Sequence, residues 1–263
     1  MAKATGLGSG LGRLVGRAAI VTGGARGIGK AICEAYAAEG AAVWIADLHG
    51  GEAEELATKL RESGAEAGGG YCDVRSFDNV RDVVDAAADT FGHLDILVGN
   101  AATLTPAATI EDLEESDWTQ ALAVNVTGAF HLCKHGLPHL KRNGGGSIIL
   151  TASQMGRVGN AGSAAYCTTK GALIQLAKTM ALDHADDNIR VNTLSPGGTA
   201  TERLFGRYGS PEGAEKGWGV TMHPLGRLGR PEEMAKGAVF LASEESSFMT
   251  GADLLLDGGY SAR

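Results

Sequence analysis

The stretch AAIVTGGARGIGKAICEAYAAEG, residues 18–40, decides the fold. It opens on a short apolar and β-branched run, passes through a turn holding Gly23, Gly27 and Gly29, and enters the helical pattern KAICEAYAAEG. Glycines in such a turn let the backbone reverse sharply and approach a pyrophosphate, while the helix N-terminus offers free N–H groups to the anion. The spacing is G-x-x-x-G-x-G rather than G-x-G-x-x-G, so the strand before it and the helix after it carry the reading. GLGSGLG at 6–12 is a control: it is richer in glycine, but no strand precedes it. It reads as part of a flexible lead-in over 1–16.

Outward from this turn the plan repeats. Apolar runs at 18–22, 41–47, 94–101, 146–153, 189–196 and 253–259, with a shorter one at 68–74, alternate with helical patterns such as 51–63 and 77–91. The runs are nearly continuous in apolar residues, as expected of parallel strands covered on both faces. The fold class predicted is α/β, one doubly wound parallel sheet of Rossmann type with helices on both faces, formed by a single domain over 17–263. The longest break, 197–230, is glycine-rich yet holds Phe205, Tyr208, Trp218 and Met222, and reads as a lid over a site. Asp47 closes the second strand where an acidic residue would bond the adenosine ribose hydroxyls; a helix N-cap is the other role open to it.

Composition excludes several function classes. A net charge of −8 over 263 residues, with no Lys/Arg cluster, gives no footprint for nucleic acid or an anionic membrane. Cys33, Cys72, Cys133 and Cys167 form no C-x-x-C pair and read as reduced structural thiols of a cytoplasmic protein. No signal-peptide apolar region and no long apolar span occurs. His131 and His135 have the i, i+4 spacing of metal pairs, but no third ligand joins them, so no metal is expected.

Tyr166 and Lys170, in SAAYCTTKGAL at 163–173, share one helix face. With TGGARGIG at 22–29, CDV at 72–74, NAA at 100–102, VNVTG at 124–128, TAS at 151–153, YCTTK at 166–170 and SPGGTAT at 195–201, the chain resembles the short-chain dehydrogenase/reductase family. The blocks stand in family order and span nearly the whole chain. The resemblance implies a nicotinamide cofactor, hydride transfer between a carbonyl and a secondary alcohol, a homotetramer, and a catalytic set of Asn125, Ser153, Tyr166 and Lys170. Tyr166 would exchange a proton with the substrate oxygen, and Lys170, helped by the oxidised nicotinamide, would lower the phenol's pKa. Ser153 would bond the substrate oxygen, and Asn125 would support a water chain to Lys170. The cofactor would lie along Gly23, Arg26, Gly27, Ile28 and Gly29, Asp47 with Leu48, Asp73 with Val74, and Asn100 with Ala101. It would then pass Pro196, Gly197, Thr199 and Thr201 to Tyr166 and Lys170.

Arg26 and Asp47 give opposed signals on the cofactor. A carboxylate against a 2′-phosphate repels it, so NAD is expected, with Arg26 turned to solvent or to the adenine edge. Gln154, Gly159, Asn160 and the lid, together with Ser153 and Tyr166, are expected to shape the substrate pocket around a sugar, polyol or alicyclic alcohol. Two other readings compete: an NADPH-dependent reductase of 3-oxoacyl groups on acyl carrier protein, and a non-catalytic dinucleotide-binding scaffold. Pro138, Leu182 and the acidic ALDHADD at 181–187 oppose the first, since an acidic carrier would be repelled. The intact Ser153, Tyr166 and Lys170 oppose the second.

Overall fold

The computed structural model describes residues 11–262. Seven strands run parallel in the order β3-β2-β1-β4-β5-β6-β7: β1 Ala18–Thr22, β2 Ala42–Asp47, β3 Ala67–Tyr71, β4 Ile96–Gly99, β5 Gly146–Thr151, β6 Ile189–Pro196 and β7 Asp253–Leu256. The main helices between them are α1 Gly27–Ala38, α2 Gly50–Glu62, α3 Phe77–Phe91, α4 Glu115–Leu122, α5 Gly128–Arg142 and α6 Ala164–Asp183. The order reverses between β1 and β4, which opens a crevice at the carboxyl ends of those two strands.

Alternate residues of each strand feed two cores. Val21 and Val43 pack with Ile32 and Tyr36 of α1 on one face, while Ile20 and Leu97 pack with Val84 of α3 and Leu132 of α5 on the other. This double burial is why the strands read as apolar runs. Two ends differ from expectation for local reasons. β3 is AGGGY and stops at Tyr71, since just beyond it the Asp73 N–H goes to the Asn79 side-chain oxygen of α3 (2.7 Å) instead of a neighbouring strand. β4 stops at Gly99 because Asn100 bends its side chain back to the carbonyls of Thr22 and Gly23.

Of the expected lead-in, residues 1–10 lie outside the described chain, and Leu14 is fully buried, with its N–H on the Glu39 carbonyl. The 197–230 segment folds into α7 Glu202–Tyr208, α8 Pro211–Ala214, a π-turn over Glu215–Gly219 and α9 Val220–Met222, before α10 Pro231–Ala242. Left-handed Gly209 (φ 78°) ends α7, and Ser210 caps α8 through the Gly213 N–H. The base of the segment is clipped where Ala200 N–H meets the Gly229 carbonyl and Gly229 N–H the Gly198 carbonyl.

Candidate active site

A cavity of about 690 Å³ opens at the crevice, walled by the glycine turn, the ends of β2, β4, β5 and β6, α6 and α7. Of the residues expected to hold cofactor, act in catalysis or shape the substrate pocket, all reach this wall except Asn125, Gly159 and Asn160, and, within the lid, Phe205 and Met222. Asn160, expected at the substrate, lies outside the wall: its amide donates to the Ser163 hydroxyl (2.8 Å) and the Ala161 carbonyl, so it braces the start of α6. Gly159 is exposed beside it.

The glycine turn forms a cradle that side chains would fill. Gly23 (φ 63°) and Gly27 (φ 53°) are left-handed, and a Cβ on Gly23 would come 2.8 Å from the Ala101 backbone. A Cβ on Gly29 would strike the Gly23 carbonyl and lie 2.5 Å from the Asn100 amide. Gly29→Ala is therefore expected to cost about 1–3 kcal/mol in overpacking and to weaken dinucleotide binding about tenfold or more, read by melting and by NADH fluorescence titration. Unchanged affinity would mean that the turn is not the dinucleotide cradle. Thr22 locks β1 to the β4 loop, its hydroxyl accepting from the Asn100 and Ala101 N–H groups.

Asp47 is nearly buried and accepts from the Ala25 N–H (3.1 Å) and the His49 N–H (2.9 Å). His49 occupies the N-cap of α2, so the cap role open to Asp47 is not the one it takes. Arg26, exposed as expected, pairs at the surface with Glu52 of α2, which holds that carboxyl below its ordinary range. Arg75, not anticipated from the sequence, forks onto Asp73 and lowers its pKa. His131 and His135 pack edge-on against Phe77, with His131 Nδ1 on the Val74 carbonyl (2.9 Å).

At the other end of the cavity, α6 presents Tyr166 and Lys170. Lys170 is 2% exposed and donates to the Thr151 carbonyl at 2.7 Å, with its ammonium 5.6 Å from the Tyr166 ring centre. Burial brings its pKa down to about 7, and the Arg203 guanidinium pushes the same way. Burial raises the Tyr166 pKa, opposed first by Arg203 and then by a hydrogen bond from Ser153. Arg203 on α7 thus adds a positive charge that favours the phenolate, a contribution not read from the sequence. Ser153 also caps the short turn Gln154–Gly156 through the Met155 N–H (3.1 Å), so its capping and pocket roles coexist.

Asn125 stands behind the wall in a π-turn over Ala123–Thr127. Its amide oxygen accepts from the Thr103 N–H (2.7 Å), and its NH2 donates to the Thr103 carbonyl and to Thr169 of α6 (3.1 Å). It ties the β4 loop to the helix bearing Tyr166 and Lys170. Gln154 is 1% exposed with neither amide atom paired, and the Trp218 N–H is also unpaired; both line the cavity. Trp218 reaches the wall from the lid, as expected of that segment; Arg203 and Arg207 also come from it, and their pocket roles were not read from the sequence, though a signal existed in the i, i+4 arginines of ERLFGRY.

Comparisons with known proteins agree with this geometry. A family model described as Enoyl-(Acyl carrier protein) reductase matches residues 23–261. The chain is 38% identical over 246 residues to cis-4-hydroxycyclohexanecarboxylate dehydrogenase of Sinomonas cyclohexanicum, covering 94% of this chain and 97% of the relative. It is 39% identical over 253 residues to D-threitol dehydrogenase of Mycolicibacterium smegmatis, covering 95% of each. The crystal structure of a short-chain type dehydrogenase/reductase from Mycobacterium marinum superposes with a TM-score of 0.86 at 35% identity, over 96% of this chain and 98% of that one. A dinucleotide cradle and a Ser-Tyr-Lys wall, on one parallel sheet, together with these matches, place the chain in the short-chain dehydrogenase/reductase family of oxidoreductases.

Proposed function

We propose that the protein is an NAD-dependent dehydrogenase of secondary alcohols of the sugar, polyol or alicyclic class. One observation carries this reading: Ser153, Tyr166 and Lys170 share a wall of the cavity whose other end is the glycine cradle with Asp47. The cradle fits a nicotinamide dinucleotide, since Gly23, Gly27, Ile28 and Gly29 line the cavity and α1 begins there at Gly27, where first-turn N–H groups lack intrahelical partners and could meet a pyrophosphate. When bound, that group supplies a hydride acceptor for the carbinol carbon. Ser153 holds the substrate hydroxyl, and Tyr166, as phenolate, takes its proton, so the alcohol loses one hydride and one proton and leaves as the ketone. Lys170 orients the ribose side of the pocket and keeps water in register behind the tyrosine, with Asn125 fixing the helix from the rear. Homotetramer assembly is carried over from the family resemblance. The test is cofactor absorbance with a panel of polyols, sugars, alicyclic alcohols and 3-oxoacyl thioesters; reduction of the thioesters alone would favour the reductase reading.

The cofactor preference rests on Asp47. A 2′-phosphate about 4 Å from this carboxylate would be repelled by about 4 kcal/mol at an effective dielectric of 20. Arg26 cannot readily relieve this, because Glu52 already holds it, and Leu48 beside Asp47 is uncharged. NAD is expected over NADP by about tenfold or more in kcat/KM, with Asp47→Ala plus Leu48→Arg narrowing or reversing the ratio. Equal use of the two cofactors by the unmodified protein, at matched ionic strength, would remove Asp47 from the ribose.

A further inference from the structure

Four arginines line the cavity: Arg26, Arg75, Arg203 and Arg207. The first two are neutralised by Glu52 and Asp73. Arg203 and Arg207, among the described residues, have no carboxylate within the 4.0 Å of an ion pair. They stand at i and i+4 on α7, a spacing at which like charges repel, and both are exposed where they line the cavity, so the lid sets two cations without an ion-pair partner at its rim, with Glu202 beside them in the same lining. Arg203 reaches across the cleft to the Ala102 carbonyl (2.6 Å), and its charge is felt at both Tyr166 and Lys170.

The same cavity holds hydrogen-bonding capacity that nothing in the protein uses. Gln154, 1% exposed, has both amide atoms unpaired, and the Trp218 indole N–H is unpaired as well. The two groups flank Gly197 and Gly198: a Cβ on Gly197 would lie 2.8 Å from the Gln154 amide oxygen, and one on Gly198 would strike the Trp218 ring. The lid brings this corner toward α7, since Tyr208, next to Arg207, packs on Gly217 beside Trp218. Buried polar groups without partners are costly, and here they include two donors, the Gln154 NH2 and the Trp218 N–H, lining the same cavity as the two arginines.

We infer that this face of the lid receives the carboxylate of a hydroxy acid, so that the substrate carries an anionic group besides the hydroxyl that reacts. Arg203 and Arg207 grip the carboxylate, and the Gln154 NH2 and Trp218 N–H serve the remaining substrate oxygens. The cofactor diphosphate is the other anion that could reach α7, but the residues of that segment facing the glycine cradle are Thr201 and Glu202. A Cβ on Gly27 would lie 3.2 Å from the Thr201 methyl and 3.9 Å from the Glu202 carboxylate. Arg203 lies on the Tyr166 side, and Arg207 falls one turn further along its face.

The inference rests on the dehydrogenase reading, and the test separates the two. Hydroxy acids on cyclohexane, butyrate and sugar skeletons are each paired with the primary carboxamide of the same skeleton, and oxidation and melting are both followed with the full chain. At least one acid is expected to exceed its amide in kcat/KM by about thirtyfold, and Arg207→Gln to lower kcat/KM about thirtyfold more for that acid than for its amide. The acid should also raise the melting temperature of the wild type and not that of Arg207→Gln. Amides as good as acids throughout would overturn the inference. So would an equal loss on acid and amide accompanied by a weaker NADH affinity in fluorescence titration, which would assign the arginines to the diphosphate. If no alcohol is oxidised but the acids still stabilise the wild type alone, the dehydrogenase reading falls and the anion site stands; melting indifferent to the acids removes the site.

Discussion

Replacing Tyr166 with phenylalanine is expected to lower kcat about a hundredfold or more while leaving the NADH dissociation constant within about twofold. The substitution deletes one oxygen and keeps the ring that lines the cavity. Burial raises the pKa of this phenol, and in the free protein the opposing influences are the Arg203 guanidinium and the Ser153 hydrogen bond. Alcohol oxidation needs the phenolate, so the rate should rise with pH toward the phenol's pKa, and the phenylalanine variant should lose that rise. Steady-state rates across pH, with NADH binding followed by fluorescence, check both parts. Full activity in the variant would move the proton transfer to another group, and a proportional loss of cofactor affinity would mean that the hydroxyl serves binding instead.

How much of this was legible in the sequence depends on whether the decisive contact is local. The positions and parallel direction of the strands could be read because both faces of a parallel sheet are buried, which writes nearly unbroken apolar runs such as AAIVT and IRVNTLSP. Tyr166 and Lys170 could be paired because helix geometry alone brings i and i+4 together. Asn160 could not be placed, since a loop asparagine has many partners within reach and Ser163 took it. The engagement of Arg26 by Glu52, 26 residues away, depends on how α2 settles beside the glycine turn. Arg203 and Arg207 matter because α7 folds back over the crevice, a tertiary placement that a glycine-rich stretch does not announce. The lid helices themselves were hidden for a related reason: each regular α-helical stretch is short, with too few turns to show a period.

Lys170→Met should separate function from stability. Loss of the ammonium is expected to lower kcat/KM by about a hundredfold or more and to weaken cofactor binding, because the group occupies the wall between the two ends of the cavity. The folded protein should nonetheless gain. Burial takes this amine from its ordinary 10.5 to about 7, a penalty on the charged form of about 4 kcal/mol. Methionine fills a similar volume without charge but leaves the Thr151 carbonyl without its donor, at a cost of about 1–3 kcal/mol. The variant should therefore be about 1–3 kcal/mol more stable near pH 7. The sign of the pH dependence follows from the depressed value: the wild-type penalty is full below about 7 and shrinks as pH rises toward the unfolded amine's value. The wild type should thus gain on the variant between about pH 7 and pH 10, a window fixed by those two values. Cys72 and Cys133, pushed up to about 12 by burial, titrate alike in both proteins and drop out of the difference. Melting temperatures of the two proteins measured together across that range decide the matter. A difference that stays flat would show that the folded-state value of Lys170 is not depressed and that its ammonium stays charged beside Tyr166 across that range.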